Sequence, residues 1–290
     1  MNAKPPYRPR MSQSGLEATH RILALDEQGA EREIHIAGER ALTIYIDKVE
    51  LLTLMTMGRR PEELVLGYLL NQGIIERLEQ VRTIQVEWDV EAAAVVTDGS
   101  IEGWQERLGR KTVTTGCGQG TVFASMMDRF DAIQLASHRY TQSMIYGLLD
   151  SLARHNEIYR QAGAVHGCAL CRGTEVIDFV EDVGRHNAVD TLAGRMLLDG
   201  LTGEELIFYT TGRLTSEMVI KVAQMGIPLL LSRSGLTQMG LEMAQRVGLT
   251  MIGRAKGKHF LVFNGQQAIE FDQRPEDRHP RAGRTHREEG

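Results

Sequence analysis

Three cysteines in this chain sit in different company, and each could do different chemistry. Cys117 lies in "TTGCGQG", residues 114–120, among Gly116, Gly118 and Gly120. Glycines reach positive φ easily and put no side chain in the way of an approaching partner. A thiol there suits a nucleophile that must enter another protein's site. The same pattern also suits a tight turn that happens to carry a cysteine. The thiolate is the reactive form, and Arg110 or Lys111 would favour it if either lies close in space. Cys168 and Cys171 stand in "HGCALC" with His166, a spacing that suggests zinc or redox chemistry. If the segment is a strand, residues three apart face opposite sides, and one ion cannot reach both sulfurs. Buried cysteine is the alternative reading.

Three further stretches gather polar side chains. "EDVGRHNAVD", residues 181–190, brings Arg185 and His186 together with two acids and an asparagine between a strand and a helix start. Free N–H groups at a helix start favour anions. Part of this set must be capping, and Asp182 reads as a structural acid. "TTGRLTSEM", residues 210–218, places Gly212 and Arg213 after a strand, with Thr215 or Ser216 as the helix cap. Arg213 could grip a phosphate through two nitrogens or form a surface ion pair. "GRAKGKHF", residues 253–260, offers Arg254, Lys256, Lys258 and His259 around Ala255 and Gly257. It could hold a polyanion or be a solvated hairpin tip.

The elements that must position these groups change character near Tyr140. Before it, "RILALDE", "REIHIAG", "ALTIYID" and "VELLTLMTMG" read as strands. "RPEELVLGYLLNQGII" reads as a helix, with Pro61 at its first position and Glu62 and Glu63 in its first turn. "VRTIQVEW" and "AAAVVTD" return to strand. After it, "TQSMIYGLLDSLARHNEIYRQAG" reads as one long helix and "AVHGCALC" with "EVIDFVED" as a strand pair. Three helices closed by Gly200, Gly226 and Gly248 then alternate with apolar strands. The order α-β-β-α-β-α-β-α-β predicts an α/β sheet buried on both faces, with ligands beyond the strand C-termini. Residues 1–18 and 274–290 read as disordered tails. Residues 19–135 are expected to form a smaller α+β domain that includes the cysteine loop, and residues 136–273 an α/β domain.

The composition narrows the function. A chain of 290 residues, 42% hydrophobic, can bury a sizeable interior in one large or two smaller domains. The net charge of -5 argues against a general nucleic-acid binder. "MNAKPPYRPR" is followed by no apolar run, so it is not a secretory signal, and no stretch approaches the ~20 apolar residues of a membrane span. An odd number of cysteines fits a reducing cytoplasm.

Taken in order, "RPEELVLGYLLNQGII", "TTGCG", "EDVGRHNAVDTLAG", "TGRLTSEMVIKVAQMGIPLLLSRSGLT" and "GLTMIGRAKG" resemble the FdhD/NarQ family from about Ala41 to Phe263. The resemblance implies a cytidine-deaminase-like α/β fold for the second half, behind a smaller domain. It implies a cytoplasmic homodimer that takes persulfide sulfur from a cysteine desulfurase. The sulfur would pass to the molybdenum cofactor, as bis-molybdopterin guanine dinucleotide, before insertion into formate dehydrogenase. That cofactor would be a transient ligand, with no permanently bound cofactor or metal. Cys117 matches the family's persulfide-bearing cysteine, and residues 254–259 match its cofactor-binding segment. Many members carry Cys-x-x-Cys in the loop, whereas the second position here is Gly120. A single-cysteine carrier is chemically complete, because a persulfide needs one sulfur anchor. The alternatives are a non-catalytic chaperone for the cofactor and a zinc-dependent hydrolase or deaminase using His166, Cys168 and Cys171. The second of these finds no His-x-Glu with Pro-Cys-x-x-Cys set in the second half.

Overall fold

A computed structural model describes residues 7–101, 103–104, 112–113, 120–121, 127 and 130–273. The first unit is a five-stranded sheet in the order β1-β6-β7-β4-β5, built from β1 (Arg10–Met11), β4 (Arg40–Ile46), β5 (Val49–Thr56), β6 (Val81–Glu87) and β7 (Ala92–Thr97). The hairpin of β2 (Thr19–Leu25) and β3 (Glu31–Ala37) stands apart from it. Alternate residues of β4, such as Leu42, Ile44 and Ile46, point inward and meet Leu64, Val65 and Leu69 of helix α1 (Pro61–Asn71). Each such buried aliphatic side chain contributes about 1.5–3 kcal/mol. Two short strands, β8 (Thr112–Val113) and β9 (Gly120–Thr121), pair antiparallel, while Cys117 lies outside the described residues.

The second unit is a six-stranded sheet in the order β12-β11-β13-β14-β15-β16. Its strands are β11 (His166–Arg172), β12 (Glu175–Asp182), β13 (Ile207–Thr210), β14 (Leu229–Ser232), β15 (Thr250–Lys256) and β16 (His259–Asn264). Strands β13, β14 and β15 run parallel, and the flanking pairs are antiparallel. Helices α4 (Arg185–Asp199), α5 (Ser216–Gln224) and α6 (Gln238–Val247) cover one face. Helix α2 (Gln142–Leu152) and the pair β10 (Tyr140–Thr141) with β17 (Ile269–Glu270) cover the other. The sheet is therefore buried on both faces, as its apolar strands predict. Gly200 and Gly248 close their helices in the left-handed conformation, and Gly226, at φ 72, follows the end of α5.

Three expectations need correction. Residues 7–18 are not a loose tail. β1 pairs with β6, the Tyr7 hydroxyl donates to Val81 O at 2.7 Å, and Glu62 accepts hydrogen bonds from Ser12 and Ser14. The expected single helix after Tyr140 is two. α2 stops at Leu152, whose carbonyl accepts from Asn156 Nδ2, and α3 (Glu157–Ala162) starts afresh. The carboxylate of Glu181 accepts from Ile158 N and Tyr159 N, both at 2.9 Å, and so caps α3 from a distant strand. Finally, residues 127–135 belong to the second unit's core, not the first. Phe130 is fully buried there with Met127, Ile133 and Leu135, and Leu135 N bonds Val247 O.

α1 and α4 join the two units at very short range. A Cβ on Gly67 would lie 1.7 Å from Asp190 O, and one on Gly194 would lie 2.1 Å from Glu63 O. Beside this crossing, buried Asp190 accepts from Asn71 Nδ2 at 2.6 Å and pairs with Lys221 Nζ at 2.8 Å.

Candidate functional site

β12 runs parallel to β13 because both lie antiparallel to β11. The C-termini of β12, β13, β14 and β15 and the start of β11 therefore share one end of the sheet. Short-range bonds lace that end together. Gly212 N donates to Thr210 Oγ1, Ser232 Oγ to Gly212 O, Ser234 N to Ser232 Oγ, and Arg254 N to Ser234 O. Arg254 takes a left-handed φ of 52, a conformation costing an L-residue about 1–2 kcal/mol.

The expected site residues divide sharply. Arg185, His186, Arg213 and the start of the 254–259 segment all meet at this end, with His166 beside them. His166 is half-buried, and burial, then Arg185 and Arg213, push its pKa down. Arg213, Arg254, Lys256, Lys258 and His259 are exposed, and Ala255 is buried in the core. Gly257 turns the β15–β16 hairpin at φ 56, so residues 254–259 form its tip, with Lys256 paired to His259. Arg233, which the sequence did not single out, projects from the same end over the Tyr159 ring at 5.9 Å. Among the described residues, no carboxylate pairs with Arg185, Arg213, Arg233, Arg254, Lys256 or Lys258. Six cations without carboxylate partners thus gather at this end of a chain whose net charge is -5.

The other polar residues of the 181–190 stretch are structural. Asp182 accepts from Thr56 Oγ1 at 2.6 Å, Met57 N at 3.1 Å, Gly184 N at 2.9 Å and Asn187 Nδ2 at 2.8 Å. Asn187 Nδ2 also donates to Met55 O at 2.7 Å. This clasp ties β5 of the first unit to the start of α4. His186 is buried, and burial, then Lys221, Arg185 and His166, hold its pKa at about 2.

Cys168 and Cys171 lie on opposite faces of β11, in two different cores. Burial pushes each thiol up to about 12, in Cys168 against the hydrogen bond to Thr210. They can share no ion, which removes the donor set of the zinc hydrolase reading.

The sequence profile of the FdhD/NarQ family matches residues 37–270. The chain belongs to the FdhD/NarQ family. A sulfur carrier protein FdhD of Listeria monocytogenes serotype 4b is 30% identical over 259 residues, covering 87% of this chain and 98% of the relative. One of the same name from Wolinella succinogenes is 26% identical over 247 residues, covering 83% of this chain and 85% of the relative. The crystal structure described as a formate dehydrogenase accessory protein from Desulfotalea psychrophila superposes with a TM-score of 0.69 at 28% identity, covering 87% of this chain and 98% of that one. The mixed α/β architecture is thus that of an FdhD/NarQ protein. No helix among the described residues is long and apolar enough to cross a membrane.

Proposed function

We propose that this FdhD/NarQ protein is a cytoplasmic sulfur carrier working on a pterin-type molybdenum cofactor. Cys117 thiolate attacks the outer sulfur of a cysteine desulfurase persulfide. A Cys117 persulfide forms, and the desulfurase cysteine leaves as thiolate. The carrier then delivers that sulfur to bis-molybdopterin guanine dinucleotide, held at the sheet end, before insertion into formate dehydrogenase. The observation that carries this reading is the distribution of thiols. Two of three cysteines are sealed in separate cores with pKa values near 12, so exchange chemistry falls to Cys117. The names of the relatives, sulfur carrier protein FdhD and formate dehydrogenase accessory protein, support the acceptor pathway. The two units meet at the α1–α4 crossing and at the Asp182 clasp, and a homodimer is part of the reading. The α/β layering of the second unit supports its cytidine-deaminase-like assignment.

The unpaired cations favour a second reading, a cofactor chaperone in which Cys117 is dispensable. Cells carrying Cys117→Ala separate the two. The carrier reading expects folded protein and no mature formate dehydrogenase, with Cys168→Ala and Cys171→Ala retaining sulfur loading. Full dehydrogenase activity with Cys117→Ala would leave only the chaperone.

A further inference from the structure

Two helix N-termini meet at the sheet end beside buried polar groups that the fold leaves unsatisfied. α4 starts behind Gly184 and α5 behind Thr215, and neither first turn has a side-chain cap. Arg185 is only 7% exposed, yet its Nε has no partner. Its stem crosses to the β13–α5 loop, where a Cβ on Gly212 would lie 2.9 Å from Arg185 Cδ. His186 is 6% exposed, and its ring reaches toward the first turn of α5, with Nε2 3.4 Å from Glu217 Oε2. Neither of its ring nitrogens makes a hydrogen bond. Thr215 is 7% exposed and its hydroxyl is unpartnered, although a threonine in that position usually spends it on its own helix.

Positive groups converge on this gap. Each helix start carries about half a unit of positive charge. Arg185 adds one, and Arg213 stands close by. Two acids also stand here: Glu217, engaged by Lys221 at 3.8 Å, and Asp182, whose carboxylate accepts from Gly184 N and Asn187 Nδ2 at the start of α4.

We propose that the gap between the N-termini of α4 and α5 is a subsite for one tetrahedral oxyanion, held by Arg185, Thr215 and first-turn N–H groups. It is separate from the hairpin tip at residues 254–259. It rests on reading the sheet end as a polyanion site, but not on any role for Cys117. The oxyanion is either a phosphate group of a larger nucleotide-bearing ligand or a free inorganic ion.

The test is calorimetric titration of the full chain at low salt, with sodium phosphate alone and with GDP. Phosphate should bind once per chain. Arg185→Gln should weaken it roughly tenfold, and Thr215→Val by about threefold. Lys256→Ala/Lys258→Ala should leave phosphate affinity within about twofold while weakening GDP. Competition between phosphate and GDP assigns the subsite to a ligand phosphate; independent binding assigns it to a free oxyanion. If Arg185→Gln does not fold, Arg185→Lys and Thr215→Val carry the test. No phosphate binding, or equal affinity in the folded variants, overturns the subsite. GDP binding that still weakens in the double lysine variant would then leave the wider polyanion reading standing.

Discussion

At the scale of single residues, the family's most recognisable block does two jobs at once. Glu181, Asp182, Asn187 and Asp190 spend their polar atoms on α3, β5, α1 and Lys221, whereas Arg185 Nε is buried without a partner. The sequence exposed which residue types gather there. It did not separate clasp from site, because Asp182 and Asp190 each take a partner more than a hundred residues away, Thr56 and Asn71. Arg233 and the idle Thr215 hydroxyl escaped notice because a lone arginine and an N-cap threonine look ordinary in sequence. His186 provides a pH test. Its folded pKa near 2 lies below the unfolded 6.5, so unfolding takes up a proton below pH 6.5. Its contribution is present above that pH and is lost as pH falls toward 2. Between pH 7 and 5 the loss should be about 2 kcal/mol. Buried Asp182 and Asp190, both raised chiefly by burial, act with the opposite sign. Urea unfolding of wild type against His186→Asn at each pH isolates the histidine. The gap between the two chains should narrow on acidification, and a constant gap contradicts the assignment.

At the scale of elements, local signals were faithful where short-range chemistry decides. Pro61 opens α1, Gly200 and Gly248 close α4 and α6, and alternation across "HGCALC" puts its two thiols on opposite faces. They failed where a distant partner decides. Asn156 and Glu181 break the helix after Tyr140, and Glu62 orders the N-terminal strand through Ser12 and Ser14. The α1–α4 crossing depends on two glycines whose missing side chains let the backbones touch. Gly67→Ala or Gly194→Ala would drive a methyl into a carbonyl. Each should lower unfolding free energy in urea by about 3 kcal/mol. A loss below about 0.5 kcal/mol would mean the helices part more easily than their packing implies.

At the scale of the whole molecule, the second unit gathers cations without carboxylate partners at one sheet end, and the first unit, clasped to it by Asp182 and Asp190, leads into the chain segment that carries Cys117. The clasp fixes the two units to one another, which is what a carrier needs to bring sulfur and acceptor together repeatedly. Affinity for GDP should fall steadily as salt rises, since six unpaired cations supply the attraction and mobile ions screen it; salt-independent binding would show that the guanine alone holds the ligand. The carrier claim itself meets its most direct test in the intact chain. Incubate it with a cysteine desulfurase and cysteine, then determine its mass and locate the added atom by peptide mapping. The account predicts one extra sulfur on Cys117 and none on Cys168 or Cys171. An unmodified Cys117, or sulfur on either core thiol, would contradict it.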